Sequence, residues 1–222
     1  MTSAIQPALR QRIRETTVQA ILAAAEEVFA NNGLHAAHMG DIASLAVVAV
    51  GTLYNHFADR DALLAGLLEA RRDELLARID DGLRGTPKGD AKIPTKTDTR
   101  FDSFRTRLRA FLVAVLAHKE AHRRFFHILM QGEIARYQDT FPLACRVPTA
   151  TLRELFLRLD KLMKQGVREK ALRADIADLA PVLFMGMIRA LMIRDTFVKG
   201  VAGDLVGEAD RLLTFFFEGA GR

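Results

Sequence analysis

Helical periodicity runs through almost the whole sequence and is the feature that most constrains its fold. Apolar side chains recur every three or four residues among alanine, leucine, arginine and glutamate, which are good helix formers. Only 6 prolines interrupt the 222 residues, and 50% of the residues are hydrophobic, so the chain can bury a large core. No segment has the pattern of a strand. We therefore predict an all-α protein of about nine helices.

The cysteine content and the hydropathy indicate the compartment. The single cysteine, Cys145, allows no internal disulfide, which is typical of a reducing compartment. The N-terminal residues MTSAIQPALRQRIR contain no apolar signal segment. The longest apolar run, Leu179 to Ile193, is too short for a bilayer and contains Arg189. We expect a cytoplasmic protein with no membrane partner.

The net charge of +5 does not by itself indicate DNA binding, because the excess lies in the wrong part of the chain. Residues 1–60 carry 4 basic and 5 acidic side chains. Three of these basic residues, Arg10, Arg12 and Arg14, lie in a segment that we expect to be a disordered tail, where they could touch phosphates or, as we favour for a short terminal charge run, be solvated. A DNA-binding hypothesis for the N-terminal part must therefore rest on local geometry.

A three-helix unit is predicted near the N-terminus. A first helix covers residues 13–32, and a short second helix covers residues 39–46 with Ile42 and Leu45 buried. The third helix, over residues 50–57, follows after a short turn. Two short helices joined in this way form a helix-turn-helix candidate.

The third helix concentrates hydrogen-bonding groups on one surface. Leu53 and Phe57 are four residues apart and would point into the core, which turns Gly51, Thr52 and Asn55 outward. A helix of about seven residues is about 10 Å long and can enter a major groove. There an asparagine can pair with an adenine edge, and a glycine lets the backbone approach a phosphate.

The segment VFANNGLHAAHMGDIASLAVVAVGTLYNHFADRDALL, residues 28–64, resembles the DNA-binding domain of the TetR family of transcriptional regulators. The motif GTLYNHF and the order of the flanking apolar and basic positions carry the resemblance. It implies a repressor that binds a palindromic operator in double-stranded DNA and has no enzymatic activity. The DNA contacts that it implies are His38, Val50, Gly51, Thr52, Tyr54, Asn55 and His56, with Arg60 as a phosphate anchor.

Four positions depart from the family pattern. His38 and Ala49 stand where a better helix cap is usual, and Val50 stands where a basic or polar contact is frequent. Val47 occupies the turn position where glycine is usual, and a β-branched residue in a left-handed conformation is costly. We expect fewer donors to face the DNA.

The boundary between two domains is predicted near residue 60. Residues 1–60 would form the DNA-binding domain and residues 61–222 a helical effector-binding and dimerisation domain. A long fourth helix, capped by Asp59 or Asp61, would begin the second domain. The connector over residues 84–99 is rich in Gly, Pro and Lys.

Phenylalanine and methionine stripes in the second domain have two interpretations, ordinary core or the lining of an apolar cavity. The family resemblance implies a pocket for a small, hydrophobic effector among helices 4 to 8. The candidate ligand-binding residues are Phe104, Phe111, Phe126, His127, Met130, Gln131, Phe156 and Phe184.

Homodimerisation is predicted through helices 8 and 9. Helix 8, about residues 178–197, is apolar nearly all round, and Gly186 and Ala190 would let a partner helix approach. Helix 9, about residues 204–219, adds the three phenylalanines at 215–217. Two DNA-binding domains would then face successive major grooves.

Other functions have weaker support in the sequence. His118 and His122 have metal-ligand spacing, but no motif provides a third ligand, so we predict no metal site and no cofactor. Cys145 has no marked base partner. The alternative function is a helical small-molecule-binding protein without DNA function, and a helical enzyme comes third.

Overall fold

The computed structural model describes residues 5–85, 99–129, 149–196 and 203–220, and helices form most of them. No strand occurs within these ranges, which confirms the all-α prediction. The α-helices are α1 (Ile5–Asn32), α2 (Met39–Leu45), α3 (Val50–His56), α4 (Arg60–Gly85), α5 (Thr99–Ala121), α6 (described over residues 123–129), α7 (Thr149–Arg168), α8 (Ala180–Arg194) and α9 (Ala209–Ala220).

Two compact units divide the chain. The first comprises Met1–Arg72 and Arg124–Pro142, and the second comprises Asp73–Arg123 and Leu143–Arg222. Helix α4 is continuous and contributes residues to both units. The boundary predicted near residue 60 coincides with the start of α4, whereas the compact units divide the chain within this helix.

Helix α1 begins earlier than the sequence pattern predicted. It starts at Ile5, so Arg10, Arg12 and Arg14 lie exposed on a helix and not in a disordered tail. Alanine, leucine, glutamine and arginine fill this first part of α1, and their high helix propensity accounts for the extension.

The core of the first unit joins α1 to the two short helices. Phe29, Ile42, Leu53 and Leu63 are fully buried in it. Leu45 was predicted to be buried but is exposed. Ile42 and Ala43 are both buried, so the side of α2 that faces the core lies between the directions of these two side chains. Successive residues of a helix are rotated by about 100°, which places Leu45 more than a quarter turn away from that side.

The turn between α2 and α3 closes α2 with a Schellman motif. The Val48 amide donates to the Ala43 carbonyl at 3.0 Å, and the Val47 amide donates to the Ser44 carbonyl at 3.2 Å. This motif requires a left-handed residue after the cap, and Val47 has φ 55°. The costly conformation expected for Val47 is therefore present.

Helix α4 is capped by Asp59. Its Oδ1 accepts a hydrogen bond from the Ala62 amide at 2.7 Å, which satisfies one of the first amides of the helix. Of the two aspartates considered as caps, Asp59 is thus the one that makes the capping bond.

The core of the second unit packs α5 against α7, α8 and α9. Phe104, Phe111 and Phe184 are fully buried there. Phe104 contacts Gly166 on α7 so closely that a Cβ on this glycine would lie 2.7 Å from the ring. No helix in the described parts of the chain is both long and apolar enough to cross a membrane.

Candidate nucleic-acid interface and effector domain

Helix α3 presents its polar side chains away from the core of the first unit. Leu53 is fully buried and anchors the helix. Gly51 and Asn55 are exposed, Thr52 is half-buried, and Tyr54 is 48% exposed. The surface expected from the helical spacing is therefore present, although α3 ends at His56 and not at Phe57.

Phe57 reaches the core from outside the helix. It caps α3 in an extended conformation, with φ −136° and ψ 116°, and its amide donates to the Leu53 carbonyl at 2.9 Å. Its ring packs against Gly66, where a Cβ would lie 2.7 Å from it. Phe57 thus holds α3 against α4 and leaves the outer face of α3 uncovered.

No packing constraint within the described structure explains the glycine at position 51. A Cβ built on Gly51 meets nothing within 4 Å, and its φ is not in the left-handed region. Glycine is unfavourable in a helix relative to alanine. The missing side chain therefore opens the first turn of α3 to an outside molecule.

The start of each short helix lacks a side-chain cap. His38 precedes α2 and Ala49 precedes α3, and neither makes a capping hydrogen bond through its side chain. The expectation that His38 is a poor cap agrees with this geometry. The Thr52 amide donates to the Ala49 carbonyl at 2.9 Å, so the first-turn amides of α3 open to an acceptor such as a phosphate oxygen are those of Val50 and Gly51.

Arg60 has a structural contact that the sequence did not indicate. Its Nη1 donates to the His35 carbonyl at 2.6 Å and thereby ties the start of α4 to the loop before α2. Its Nε lies 3.8 Å from Asp61. Arg60 remains partly exposed, so the phosphate contact assigned to it stays a prediction.

The predicted ligand-binding residues fall in both compact units. Phe104, Phe111 and Phe184 are core residues of the second unit, and Phe156 is half-buried on α7. Phe126 and His127 are half-buried on α6, which belongs to the first unit, and Phe126 packs on Phe125. Met130 and Gln131 lie outside the described residues. The common pocket stays a prediction.

Helices α8 and α9 leave an apolar surface on the second unit. The exposed fractions are 53% for Val182, 49% for Leu183 and 70% for Phe215. Gly186 lies on the same side of α8, and a Cβ on it would meet nothing within 4 Å. This surface, defined by Val182, Leu183, Gly186 and Phe215, is called the α8–α9 face below.

Comparison with known proteins finds a family similarity within the first unit. Residues 21–67 match the family described as bacterial regulatory proteins, tetR family. The HTH-type transcriptional regulator UidR of Escherichia coli is 31% identical over 97 residues, which are 44% of this chain and 48% of UidR. Over residues 21–67 the chain is similar to the TetR family. The match spans about half the length of UidR.

A further sequence relative matches over a shorter range, and two solved structures match over most of the chain. The transcriptional activator FasR of Mycolicibacterium smegmatis is 34% identical over 82 residues, which are 37% of each protein. The structure of FadR from Bacillus subtilis in complex with stearoyl-CoA superposes with a TM-score of 0.70 at 20% identity, covering 90% of this chain and 98% of that one. A putative TetR-family regulator of Mesorhizobium loti gives a TM-score of 0.68 at 14% identity, covering 94% and 98%. At these identities the structures show the common fold.

Proposed function

We propose that this protein is a ligand-responsive, DNA-binding transcriptional regulator that represses by occupying an operator and is released by a small hydrophobic effector. The observation that carries the proposal is the outer face of α3. This face combines an unobstructed glycine with an exposed asparagine and a half-buried threonine on a helix anchored by Leu53. The family match over residues 21–67 supports this assignment.

The proposed contacts divide into those that specify sequence and those that position the protein. Asn55 pairs with an adenine edge, and Thr52 contacts a base through its methyl or hydroxyl group. Tyr54, His56 and Arg60 reach phosphates, which contributes affinity but little sequence information. His38, Val50 and Gly51 complete the interface through close backbone and van der Waals contact.

A gel-shift or anisotropy titration with DNA from beside the protein's own gene tests this assignment. Thr52→Ala and Asn55→Ala should each weaken operator binding by about 1–3 kcal/mol and relax the preference at one base pair. Asn32→Ala is the matched control, since Asn32 is also exposed and lies at the end of α1. If neither α3 variant changed affinity or preference, α3 would not be the recognition helix.

The same titration separates the proposed function from its alternative. A protein that binds small molecules without DNA function would bind the operator fragment no better than unrelated DNA of equal length. Competition with unrelated DNA at fixed salt makes this comparison, because phosphate contacts alone give salt-dependent, non-specific binding.

A second copy of the chain is the proposed occupant of the α8–α9 face. Exposed side chains such as Leu183 and Phe215 form an apolar surface of the kind that mediates association, and Gly186 permits close approach of a helix. The homodimer would then present two α3 helices to a palindromic operator.

Light scattering tests the dimer. We expect a mass of about twice 24.7 kDa at micromolar concentration, and Leu183→Glu or Phe215→Glu should shift it toward the monomer. Leu157→Glu is the control, because Leu157 is 47% exposed on α7 and lies outside this face. A monomeric mass for the unmodified protein would contradict the dimer.

A hydrophobic effector is proposed for the second unit. Its core is rich in phenylalanine and methionine side chains from α5 and α8. The structural neighbour FadR was solved in complex with stearoyl-CoA, so a long-chain acyl thioester is the first probe. The continuous α4 contributes residues to both units and is the proposed route by which ligand binding alters operator affinity.

Calorimetry with and without operator DNA tests this coupling. A coupling free energy of about 1–3 kcal/mol corresponds to about 5–150-fold weaker operator binding in the presence of stearoyl-CoA. Reciprocity requires operator DNA to weaken stearoyl-CoA binding by the same factor. Equal ligand affinities in the two titrations would contradict release by this effector.

A further inference from the structure

Two histidines and a glutamate meet between α4 and α5, all within the second compact unit. His118 lies on α5, and His122 follows one turn later, directly after the helix ends at Ala121; their ring centroids are 4.8 Å apart. Glu74 on α4 places Oε2 3.1 Å from Nε2 of His122 and Oε1 4.0 Å from Nδ1 of His118. One candidate ligand atom from each of the three residues lies within 4.8 Å of the other two.

We propose that Glu74, His118 and His122 form a binding site for a divalent transition-metal ion of the Zn²⁺ class. Two imidazole nitrogens and one carboxylate oxygen are a ligand set that zinc commonly takes, with water or another small ligand at the remaining position. Ligand atoms of a tetrahedral zinc site with bonds of about 2.1 Å are about 3.4 Å apart. The ligand atoms lie up to 4.8 Å apart in this structure, so binding would require the side chains to move closer together.

The burial of the three groups favours an ion over a solvated ion pair. The side chain of His118 is 4% exposed, that of His122 is 13% exposed and that of Glu74 is 29% exposed. Water therefore screens the histidines little, and a carboxylate facing them attracts a cation more strongly than it would at the surface. The partial exposure of Glu74 gives an ion access to the cluster.

Arg78 orients the carboxylate of Glu74. Its Nη2 and Nε donate to Oε1 of Glu74 at 2.9 Å and 3.1 Å, while Oε2 is directed at His122. Hydrogen-bonded partners of this kind commonly position ligating carboxylates at metal sites. Arg78 thus holds Oε1, the oxygen nearer to His118, and leaves Oε2 oriented toward His122.

The charge state of Glu74 is compatible with metal binding. Burial alone would raise the pKa of Glu74, but hydrogen bonds from Arg78 and His122 and the charges of the two histidines lower it from 4.5 to about 2. The carboxylate is therefore ionised at neutral pH, as a metal ligand must be.

The third ligand explains why the sequence alone predicted no metal site. His118 and His122 have the spacing of a ligand pair, but Glu74 is 48 residues away from His122 and lies on a different helix. Only the packing of α4 against α5 brings this carboxylate to the histidines.

Cobalt absorption and zinc calorimetry test the site in the full-length chain, purified without a histidine tag and stripped of metal by a chelator. We expect Co²⁺ to give visible d–d absorption that saturates at one ion per chain and that Zn²⁺ removes. His122→Gln and Glu74→Gln should weaken Zn²⁺ binding by at least about 10–100-fold, the loss seen even for outer-shell partners. His35→Gln, which changes an exposed histidine in the first unit, should leave the affinity unchanged.

Circular dichroism of each variant checks that the helices are intact, so that a lost site is distinguished from a lost fold. The proposal is overturned if the unmodified chain shows no saturable Co²⁺ absorption. It is equally overturned if folded His122→Gln and Glu74→Gln variants bind Zn²⁺ as tightly as the unmodified chain, or if His35→Gln abolishes binding.

Discussion

Replacing Val47 by glycine should stabilise the protein, although it removes a hydrophobic side chain. Val47 is 90% exposed, so the substitution gives up almost no buried surface. Its φ of 55° places a β-branched residue in the left-handed region. That conformation costs an L-residue about 1–2 kcal/mol, whereas the greater freedom of glycine in the unfolded chain costs about 0.5–1 kcal/mol.

The difference between the midpoints of these two ranges gives an expected net gain from Val47→Gly of about 0.75 kcal/mol. For a chain of this size such a gain raises Tm by roughly 1–4 °C. Thermal unfolding followed by circular dichroism measures it. Lys170→Gly is the matched comparison, because Lys170 is exposed, has φ 59° and ends α7 in the same way, but it is not β-branched. Its gain should be smaller.

A Tm for Val47→Gly equal to or below that of the unmodified protein would refute this reasoning. It would mean that the turn between α2 and α3 carries no conformational cost at Val47. A larger gain at Lys170 than at Val47 would refute the part of the reasoning that concerns β-branching.

Two further predictions concern stability. Asp59→Ala removes the 2.7 Å capping bond to the Ala62 amide and should cost about 1 kcal/mol, measured by urea unfolding; an unchanged midpoint would contradict the cap. The pKa of Lys119 is lowered from 10.5 to about 8, mainly because the ammonium group is buried. The negative charge of Asp195 opposes this shift, and the positive charge of Arg123 adds to it. Between pH 8 and 10.5 the unfolded state therefore binds the extra proton, and stability should rise with pH in that window. The midpoint of urea unfolding should rise more steeply with pH for the unmodified protein than for Lys119→Met. If the midpoints of the two proteins rose in parallel with pH, the lowered pKa of Lys119 would be contradicted.

The helix-turn-helix was predictable because its determinants are local. The burial of Leu53, the turn around Val47 and the outward position of Asn55 all follow from spacing within one or two helical turns. The left-handed conformation at Val47 was recognised from its place in the motif and is present in the structure.

Features that depend on packing between distant segments were missed. The exposure of Leu45 depends on which side of α2 meets the core, and a seven-residue helix has too few apolar positions to define that side. The contact of Arg60 with the His35 carbonyl joins residues 25 positions apart. Glu74 likewise reaches His122 only because two helices pack together. Sequence periodicity contains no information about such pairings.

Gly51→Ala tests the central claim, that the outer face of α3 binds DNA, because it separates the requirements of folding from those of binding. An alanine Cβ at position 51 would meet nothing within the protein. The helix should therefore become more stable by about 0.5 kcal/mol, since glycine is a poor helix former. A methyl group between α3 and DNA should nevertheless weaken operator binding at least tenfold, about 1.4 kcal/mol.

Anisotropy titration of the operator measures this effect, with Gly85→Ala as control because Gly85 ends α4 and is equally open. The account predicts that Gly51→Ala loses affinity for the operator while its Tm is maintained or raised, and that Gly85→Ala binds like the unmodified protein. Unchanged operator affinity in a fully folded Gly51→Ala variant would contradict DNA binding through α3.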